Sequence, residues 1–359
     1  MKSSQPPAGH RPPTIVTVAS AAGVSPMTVS KVLRGTGRIS AETRERVLRL
    51  ADELGYIPNG LAGALSSQSS QIVGVLIPSI GDMVYSGVLA GINSVLVPRG
   101  YSSFIGETFF DPQAETRLVR TMLSLKPSAL ILTGGLCRTP ATAHLLRQSG
   151  VRCVQLWDGD SPDLEATVGL SHRAAGRAAA DLFLAAGLRA AYFIGAQLDR
   201  DLCAAQRMEG FRQRLHEAGG QFTLHSDPLL PRDATTGEAL TAALLQGSAP
   251  PAAIHYLNDA MAIGGLRALL AAGVDVPGRT SVIGFNGTSL RHAIQTRLTT
   301  IEVPLYTLGA RAAQVLMEPR STGLELVPFQ IIPGTTLRGQ APGQVRPSAE
   351  ASGPGPAGA

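Results

Sequence analysis

The stretch that decides the N-terminal fold reads Thr14-Ile-Val-Thr-Val-Ala-Ser-Ala-Ala-Gly-Val-Ser-Pro-Met-Thr-Val-Ser-Lys-Val-Leu-Arg-Gly35. Its alanines are small enough for two helices to cross closely, and Gly23 supplies a turn at which a positive φ costs little. Ser25 followed by Pro26 is typical of a helix N-terminus, so the second helix is predicted over about 26–33. The pattern predicts a helix-turn-helix, and a small structural helical cap is the alternative.

A third helix completes this N-terminal region. Ser40 is placed as its N-cap, apolar residues recur at helical spacing from Ala41 to Leu54, and Gly55 follows as a terminator. The sequence therefore predicts three short helices within residues 14–57, with no strand among them.

Excess positive charge is concentrated in the same region. Residues 1–65 contain eight lysines and arginines against four aspartates and glutamates, a net charge of +4, whereas the whole chain carries +5. A basic head on a nearly neutral body is typical of a nucleic-acid-binding module, although charge alone would also fit a solvated basic surface.

The composition excludes several classes of protein. With 44% hydrophobic residues in 359, the chain can build a sizeable core, which excludes wholesale disorder. The most alanine-rich window, 174–196, is interrupted by charged residues, and the polar N-terminus lacks the apolar segment of a secretory signal. We therefore expect a cytoplasmic protein without a membrane partner. The scattered cysteines predict neither a disulfide framework nor a zinc site, and no metal or cofactor is expected; they are Cys137, Cys153 and Cys203.

The rest of the chain alternates short apolar runs with amphipathic stretches. This alternation is typical of βαβ units, and about 270 residues are more than one core usually holds, so two α/β lobes are predicted. The predicted strands are 72–77, 102–106, 129–133, 152–156, 191–195, 253–256 and 280–284. The predicted helices are 83–98, 112–125, 140–149, 172–186, 204–218, 235–246, 259–272 and 304–317. The predicted segments are a disordered tail (1–13), a helix-turn-helix domain (14–57), a linker (58–71), a two-lobed domain (72–338) and a second disordered tail (339–359).

Several motifs resemble the lactose/galactose repressor family. They are Ala22-Gly-Val-Ser25 followed by Thr28-Val-Ser-Lys-Val-Leu33, then Ile39-Ser-Ala-Glu-Thr-Arg-Glu-Arg-Val47, and then the highly specific Leu54-Gly-Tyr-Ile-Pro-Asn59. The resemblance covers about 14–338, and features such as Gly74-Val-Leu-Ile-Pro-Ser79 are most similar to the gluconate-utilisation repressors. One departure is Thr17, where the family usually has aspartate.

The resemblance implies a fold and a function. The expected architecture is an N-terminal all-α helix-turn-helix domain plus an α/β, two-lobed, periplasmic-binding-protein-like effector domain that also dimerises. The expected function is that of a transcriptional repressor, which binds operator DNA as a homodimer and responds to a small sugar-type effector. The tail 340–359 has no leucine, which argues against the leucine-heptad tetramers of some relatives.

Residues that contact DNA follow from the same resemblance. The outer face of the second helix is expected to read bases through Pro26, Met27 and Lys31, and to contact phosphates through Thr28 and Ser30. Core packing is the alternative role for Met27. In the family, the linker 58–71 becomes a hinge helix on the operator, and Leu65 is expected to wedge into the minor groove. The remaining expected DNA contacts are Thr14 and Asn59.

Effector contacts are expected at the carboxyl ends of strands, where the two lobes meet. Arg207 is expected to hold a carboxylate, and three further strand-end residues to bond hydroxyl groups; these are Asp158, Asn258 and Asn286. The first loop is expected to contribute Ser79 or Asp82. His172 is either a pocket donor or a cap of the following helix. Each of these residues taken alone could instead be an ordinary polar residue at a strand end.

Asparagine at 286, where many relatives have aspartate, favours an anionic effector. Gluconate or a related aldonate is therefore expected, with a neutral sugar or a sugar phosphate as the alternative. No Gly-x-Ser-x-Gly, phosphate-loop or His-Glu-x-x-His pattern occurs, so we expect no enzyme. A solute-binding protein for a transporter is a further alternative, but the basic head argues for a nucleoid-associated regulator.

Overall fold

The computed structural model describes residues 12–57, 70–247, 249–292, 295–318, 321–339 and 346–347. The chain divides into two compact units, residues 1–70 and residues 71–359, called here the head and the body.

The head is a three-helix unit built around the predicted turn. Its helices are α1 (Ile15–Ala22), α2 (Pro26–Leu33) and α3 (Ala41–Glu53). Gly23 has φ +65° between α1 and α2, and Ser25 accepts a hydrogen bond from the backbone of α2, as predicted. The buried core of the head consists of Val18, Ala19, Ala22, Val29, Val32, Val47 and Ala51. The helix-turn-helix prediction is confirmed.

No single described helix is long and apolar enough to cross a membrane. Only α1 and α2 counted together, across a bend of 103°, have the required length and composition.

The body contains two sheets, each in its own lobe. The first sheet has the order β11-β5-β4-β3-β1-β2 and is parallel throughout. Its strands are β1 (Ile72–Ile77), β2 (Ser102–Glu107), β3 (Ala129–Thr133), β4 (Arg152–Asp158), β5 (Ala166–Leu170) and β11 (Gly323–Leu326). The second sheet has the order β13-β12-β10-β9-β8-β6-β7, and only β12 runs antiparallel to its neighbours. Its strands are β6 (Ala190–Ala196), β7 (Gln221–Asp227), β8 (Ala253–Tyr256), β9 (Ser281–Asn286), β10 (Thr299–Glu302), β12 (Gln330–Ile332) and β13 (Arg346–Pro347).

Helices cover both sheets, and the chain passes repeatedly between the lobes. The helices of the body are α4 (Met83–Leu96), α5 (Pro112–Ser124), α6 (Pro140–Ser149), α7 (His172–Ala185), α8 (Leu202–Glu217), α9 (Ala234–Gly247), α10 (Asp259–Ala271) and α11 (Leu305–Met317). The chain leaves the first lobe after β5, returns to it with α11 and β11, and then enters the second sheet again with β12 and β13. The two α/β lobes predicted from the sequence are thereby confirmed.

The helices pack in close pairs because small residues face each other. In the pair α7 and α8, a Cβ added at Gly176 would lie 1.9 Å from the Arg207 carbonyl oxygen, and one added at Gly210 would lie 2.2 Å from the Arg173 carbonyl oxygen. The pair α4 and α11 meets in the same way at Gly91 and Gly309. Only glycine permits backbones to approach this closely.

The structure adds strands that the sequence did not predict. They are β5, β7 and β10 to β13. Most of them have three to five residues, too few to show a clear period, and β7 is exposed along much of its length, so it lacks an apolar run. Within the predicted C-terminal disordered tail, residues 346–347 pair with β12, which differs from the prediction. The remaining residues of both tails and nearly all of the predicted linker lie outside the described residues.

Candidate functional site

The outer face of α2 presents the residues expected to read bases. Pro26 and Lys31 are exposed, and Met27 is 67% exposed, so the alternative of core packing for Met27 is wrong. Thr28 and Ser30 are half-buried beside them. The face is therefore available to enter a major groove.

Two hydroxyl groups of the head already have local partners. The Thr14 hydroxyl accepts a hydrogen bond from the Thr17 amide at 3.3 Å, so that Thr17 takes part in capping α1 although it replaces the usual aspartate. The Thr28 hydroxyl lies 2.9 Å from the Ser25 hydroxyl. A phosphate contact by either threonine would add to these bonds. Asn59 and Leu65 lie outside the described residues.

A cavity of about 680 Å³ opens between the two lobes of the body. Its wall is made by residues that follow strands of both sheets, including β1 and β2 of the first and β6 to β9 of the second. Four of the expected effector contacts line it, namely Ser79, Asp82, Asn258 and Asn286. Lining residues that the sequence did not suggest include Phe109, Phe110, Gln197, Arg200, Arg232 and Asp233. A cavity of this volume is large enough for a sugar-sized ligand.

Two asparagines in this wall differ in how their side chains are satisfied. Asn258 accepts a hydrogen bond from the Met261 amide at 2.8 Å and donates one to the Arg232 carbonyl at 2.9 Å, so it caps α10 and holds the neighbouring loop. Asn286 has φ +98°, and its buried Oδ1 has no hydrogen-bond partner among the described residues. A buried acceptor left without a donor is costly, so Oδ1 is suited to accept a bond from a ligand hydroxyl.

Arg232 is a charged residue of the cavity wall that the sequence did not suggest. It follows β7 in the second lobe, and its guanidinium forms an ion pair with Asp201 of the same lobe. Its Nη2 lies 3.6 Å from Asp82 Oδ2 of the first lobe, and its Cζ lies 4.1 Å from the centre of the Phe110 ring. The guanidinium is thus a nearly buried positive charge at the cavity wall. The flanking sequence Pro231-Arg-Asp-Ala-Thr contains no motif that would have indicated this position.

Asp82 begins α4 and faces this guanidinium. Its Oδ1 accepts a hydrogen bond from the Val84 amide at 3.2 Å, which makes it the N-cap of the helix. Burial raises the pKa of Asp82, while the charge of Arg232 and the bond from Val84 act in the opposite direction. The carboxylate is therefore held where its charge is costly and where Arg232 offsets that cost.

Arg207 lies beneath the cavity and not in its wall. Its Nη2 donates to the Leu257 carbonyl at 2.7 Å, its Nη1 donates to His172 Nδ1 at 3.2 Å, and its Cζ lies 3.7 Å from the centre of the Phe285 ring. Burial lowers the pKa of Arg207 to about 10. It lines a recess of about 20 Å³ that shares four residues with the larger cavity, namely Asp82, Arg232, Asn258 and Asn286.

His172 and Asp158 also lie away from the lining of the cavity. The cap of α7 is Ser171, whose hydroxyl accepts from the Ala174 amide at 3.0 Å, so the alternative that His172 caps this helix is wrong. Burial and the charge of Arg207 lower the pKa of His172, which fits a neutral ring accepting the bond from Arg207. Asp158 accepts bonds from the amides of the turn that follows it. Direct contact of either residue with an effector stays a prediction.

Comparison with known proteins decides the family. Residues 14–59 match the family model described as bacterial regulatory proteins, lacI family, and residues 180–337 match that of a periplasmic binding protein-like domain. The HTH-type transcriptional regulator GntR of Pseudomonas aeruginosa is 37% identical over 307 residues, which are 85% of this chain and 88% of that protein. The chain belongs to the lacI family of bacterial regulatory proteins.

Solved structures of lacI-family proteins agree with both units. A transcriptional regulator of this family from Silicibacter pomeroyi has a TM-score of 0.85 and 36% identity, over 90% of this chain and 98% of that one. The lac repressor dimer bound to operator and the anti-inducer ONPF has a TM-score of 0.78 and 26% identity, over 91% of this chain and 99% of that one. As a member of this family, the protein is a DNA-binding transcriptional regulator and not an enzyme.

Proposed function

We propose that this lacI-family regulator is a repressor that binds its operator as a homodimer and is released by a sugar acid, gluconate or a related aldonate. The observation that carries the effector proposal is the pairing, in one cavity wall, of an unpartnered acceptor on Asn286 with the guanidinium of Arg232. The protein would act in the cytoplasm, at the nucleoid.

The exposed face of α2 supports sequence-specific DNA binding. Lys31 lies in its last turn, where an ammonium group can donate to guanine O6 or N7, and Met27 offers an apolar surface to a thymine methyl group. A phosphate role for Thr14, Thr28, Ser30 and Asn59 remains part of this proposal. So does the minor-groove wedge at Leu65, which should serve operator binding and leave effector binding unchanged.

Footprinting at several salt concentrations tests the DNA interface. We expect a symmetric protected site, and Lys31→Gln should weaken its binding by about 1–3 kcal/mol because one base contact is lost. Lys126→Gln, the same change in the body, is the matched control and should leave operator affinity unchanged. Equal losses in both variants would mean that overall charge, and not the α2 face, determines binding.

The chemistry of the cavity supports a polyhydroxylated anion. Asn286 accepts from hydroxyl groups and Arg232 attracts a carboxylate, and gluconate contains both kinds of group. The relationship to a regulator named GntR supports the same class. A neutral sugar would use the acceptor without the cation, and a sugar phosphate would place more charge beside Asp82, so both remain alternatives.

Calorimetric titration tests the effector class. Gluconate, 2-ketogluconate, 6-phosphogluconate, glucose and ribose are titrated into the full chain, and operator release is followed by fluorescence anisotropy with the same panel. We expect an unphosphorylated sugar acid to bind most tightly and to release the operator. Tightest binding by glucose or ribose would overturn the sugar-acid proposal and leave the family assignment intact.

Exposed apolar residues on two edge strands support a homodimer. Phe104 on β2 is 51% exposed and Leu224 on β7 is 42% exposed, and these strands form one edge of the first and of the second sheet. Apolar edge strands of this kind are normally covered by a partner. We infer that both edges lie in the interface between two copies of the chain.

A further inference from the structure

Arg232 connects the two lobes across the mouth of the recess. It belongs to the second lobe, where Asp201 holds it, and it reaches the first lobe at two points: the Asp82 carboxylate, 3.6 Å from Nη2, and the Phe110 ring, 4.1 Å from Cζ. All of these side chains except Asp201 line the larger cavity. The guanidinium can therefore be reached from the cavity, while Asp201, which does not line the cavity, holds it in the second lobe.

We propose that Arg232 selects anionic effectors and that the effector carboxylate replaces Asp82 as its partner. This inference rests on the proposed sugar-acid effector and assigns the residue that recognises the acid. The carboxylate would bind on the cavity side of the guanidinium, with Asp201 and Phe110 retained as fixed supports.

The two carboxylates that share Arg232 are not equivalent. Asp201 contacts Nη1 within hydrogen-bond distance, whereas Asp82 lies beyond the normal 3.2 Å limit of a hydrogen bond to Nη2. Asp82 also keeps a second partner, the Val84 amide at the start of α4, when the guanidinium turns to a ligand. If an effector carboxylate replaces Asp82 at Arg232, Asp82 keeps its bond from the Val84 amide and Asp201 keeps its bond from Arg232. Neither buried carboxylate is then left without a hydrogen bond.

The other arginines near the cavity are less suited to this role. Arg207 does not line the larger cavity, and both of its terminal nitrogens donate to His172 and Leu257. Only its Nε has no partner among the described residues, and that atom is buried beneath the cavity. Arg200 lines the cavity but is exposed, so water and salt screen its charge. Arg232 combines contact with the cavity and protection from solvent, which makes a charge-assisted bond stronger.

The other acidic residues of the cavity wall, Asp233 and Asp259, already accept hydrogen bonds from neighbouring residues. Asp233 accepts from the Thr236 amide at 2.9 Å at the start of α9. Asp259 accepts from Thr288 and Thr300, with the shortest of these bonds at 2.6 Å. Asp82 also accepts from an amide, but it is the acid of this wall that forms an ion pair with Arg232, so it competes directly with an incoming carboxylate for the guanidinium.

The test compares gluconate with its neutral amide, gluconamide, which differs only at the carboxylate. Both are titrated calorimetrically into the full-length protein and three variants: Arg232→Gln, Asp82→Asn and, as a matched control outside the cavity, Arg267→Gln. We expect Arg232→Gln to bind gluconate about 10- to 100-fold more weakly and gluconamide almost as before. Asp82→Asn, which retains an N-cap residue, should bind gluconate several-fold more tightly because the competing charge is gone.

The possible results separate this inference from the proposed function. If wild-type protein prefers gluconate and Arg232→Gln keeps the same preference, the inference is wrong and the sugar-acid function stands. Weaker gluconate binding by Asp82→Asn would show that Asp82 contacts the ligand and would overturn the exchange. If wild-type protein binds no sugar acid, or binds gluconamide as tightly as gluconate, the sugar-acid function and the inference both fail.

Discussion

Asn286 combines a positive φ with a buried acceptor that has no partner among the described residues. Asparagine tolerates this backbone region better than most residues, and its amide adds no charge to the cavity wall at this position. We predict that Asn286→Asp weakens gluconate binding about tenfold, because the new charge repels the ligand carboxylate, and weakens gluconamide binding much less. Calorimetry with both ligands measures the difference, and equal effects on the two would remove the electrostatic explanation.

Asp259 makes a pH-dependent contribution to stability. Burial raises its pKa to about 6, despite the hydrogen bonds donated by Thr300 and Thr288. An unfolded aspartate has a pKa of about 3.9, so ionisation above pH 6 opposes folding, and this cost is relieved as the pH falls towards 4. The group should therefore stabilise the folded state by about 2–3 kcal/mol more at pH 4 than at pH 7.

Asp259→Asn isolates this contribution, because asparagine can still accept from Thr288 and donate to Thr300. Urea unfolding of wild-type and variant protein is compared between pH 4 and pH 7. Burial lowers the pKa values of His172 and His255, so these two residues destabilise the folded state as the pH falls. Because both proteins contain them, the relevant quantity is the difference in unfolding free energy between wild type and variant at each pH. Parallel stability curves would contradict the raised pKa of Asp259.

At the scale of single elements, α9 contains two glycines in different environments. A Cβ at Gly237 would lie 2.1 Å from the Met261 carbonyl oxygen of α10, whereas nothing lies within 4 Å of one at Gly247. We predict that Gly237→Ala destabilises the body by about 1–3 kcal/mol through overpacking. Gly247→Ala should leave stability unchanged or raise it slightly, since alanine favours helix. Chemical denaturation of both variants measures this, and similar losses in both would show that the close approach of α9 and α10 is unimportant.

The elements were predictable to the extent that their signals are local. All eight predicted helices of the body occur within one or two residues of their predicted bounds, because most have an amphipathic period and a polar cap. Strand β7 was missed because its residues alternate between exposed and half-buried, and it is recognisable as a strand only by its pairing with β6. The close contacts at Gly176 and Gly237 have no sequence signal without knowledge of the partner helix.

At the scale of the whole molecule, the dimer prediction concerns the two exposed sheet edges. The double variant Phe104→Lys and Leu224→Lys should shift the protein from dimer to monomer in sedimentation velocity, since two charges would be buried in the interface. Operator affinity should fall with it, because a palindromic site requires two heads, while gluconate binding persists. Leu326→Lys is the matched control: Leu326 is 53% exposed on β11, the opposite edge of the first sheet. Loss of the dimer in the control alone would assign the interface to that edge.

The sequence by itself determined the helix-turn-helix and the two-lobed α/β body, because caps, turn glycines and apolar periods act over a few residues. The family was recognisable from the sequence through the resemblance of its motifs, such as Leu54-Gly-Tyr-Ile-Pro-Asn59. It also indicated Asn258 and Asn286, since polar residues directly after buried strands lie at a known edge of a parallel sheet. Only the tertiary structure decided that Arg207 is bonded beneath the cavity and that Arg232 lies in its wall. Arg232 meets Asp82, Phe110 and Asp201 from distant parts of the chain, and a charge acquires its partners only when packing brings such segments together.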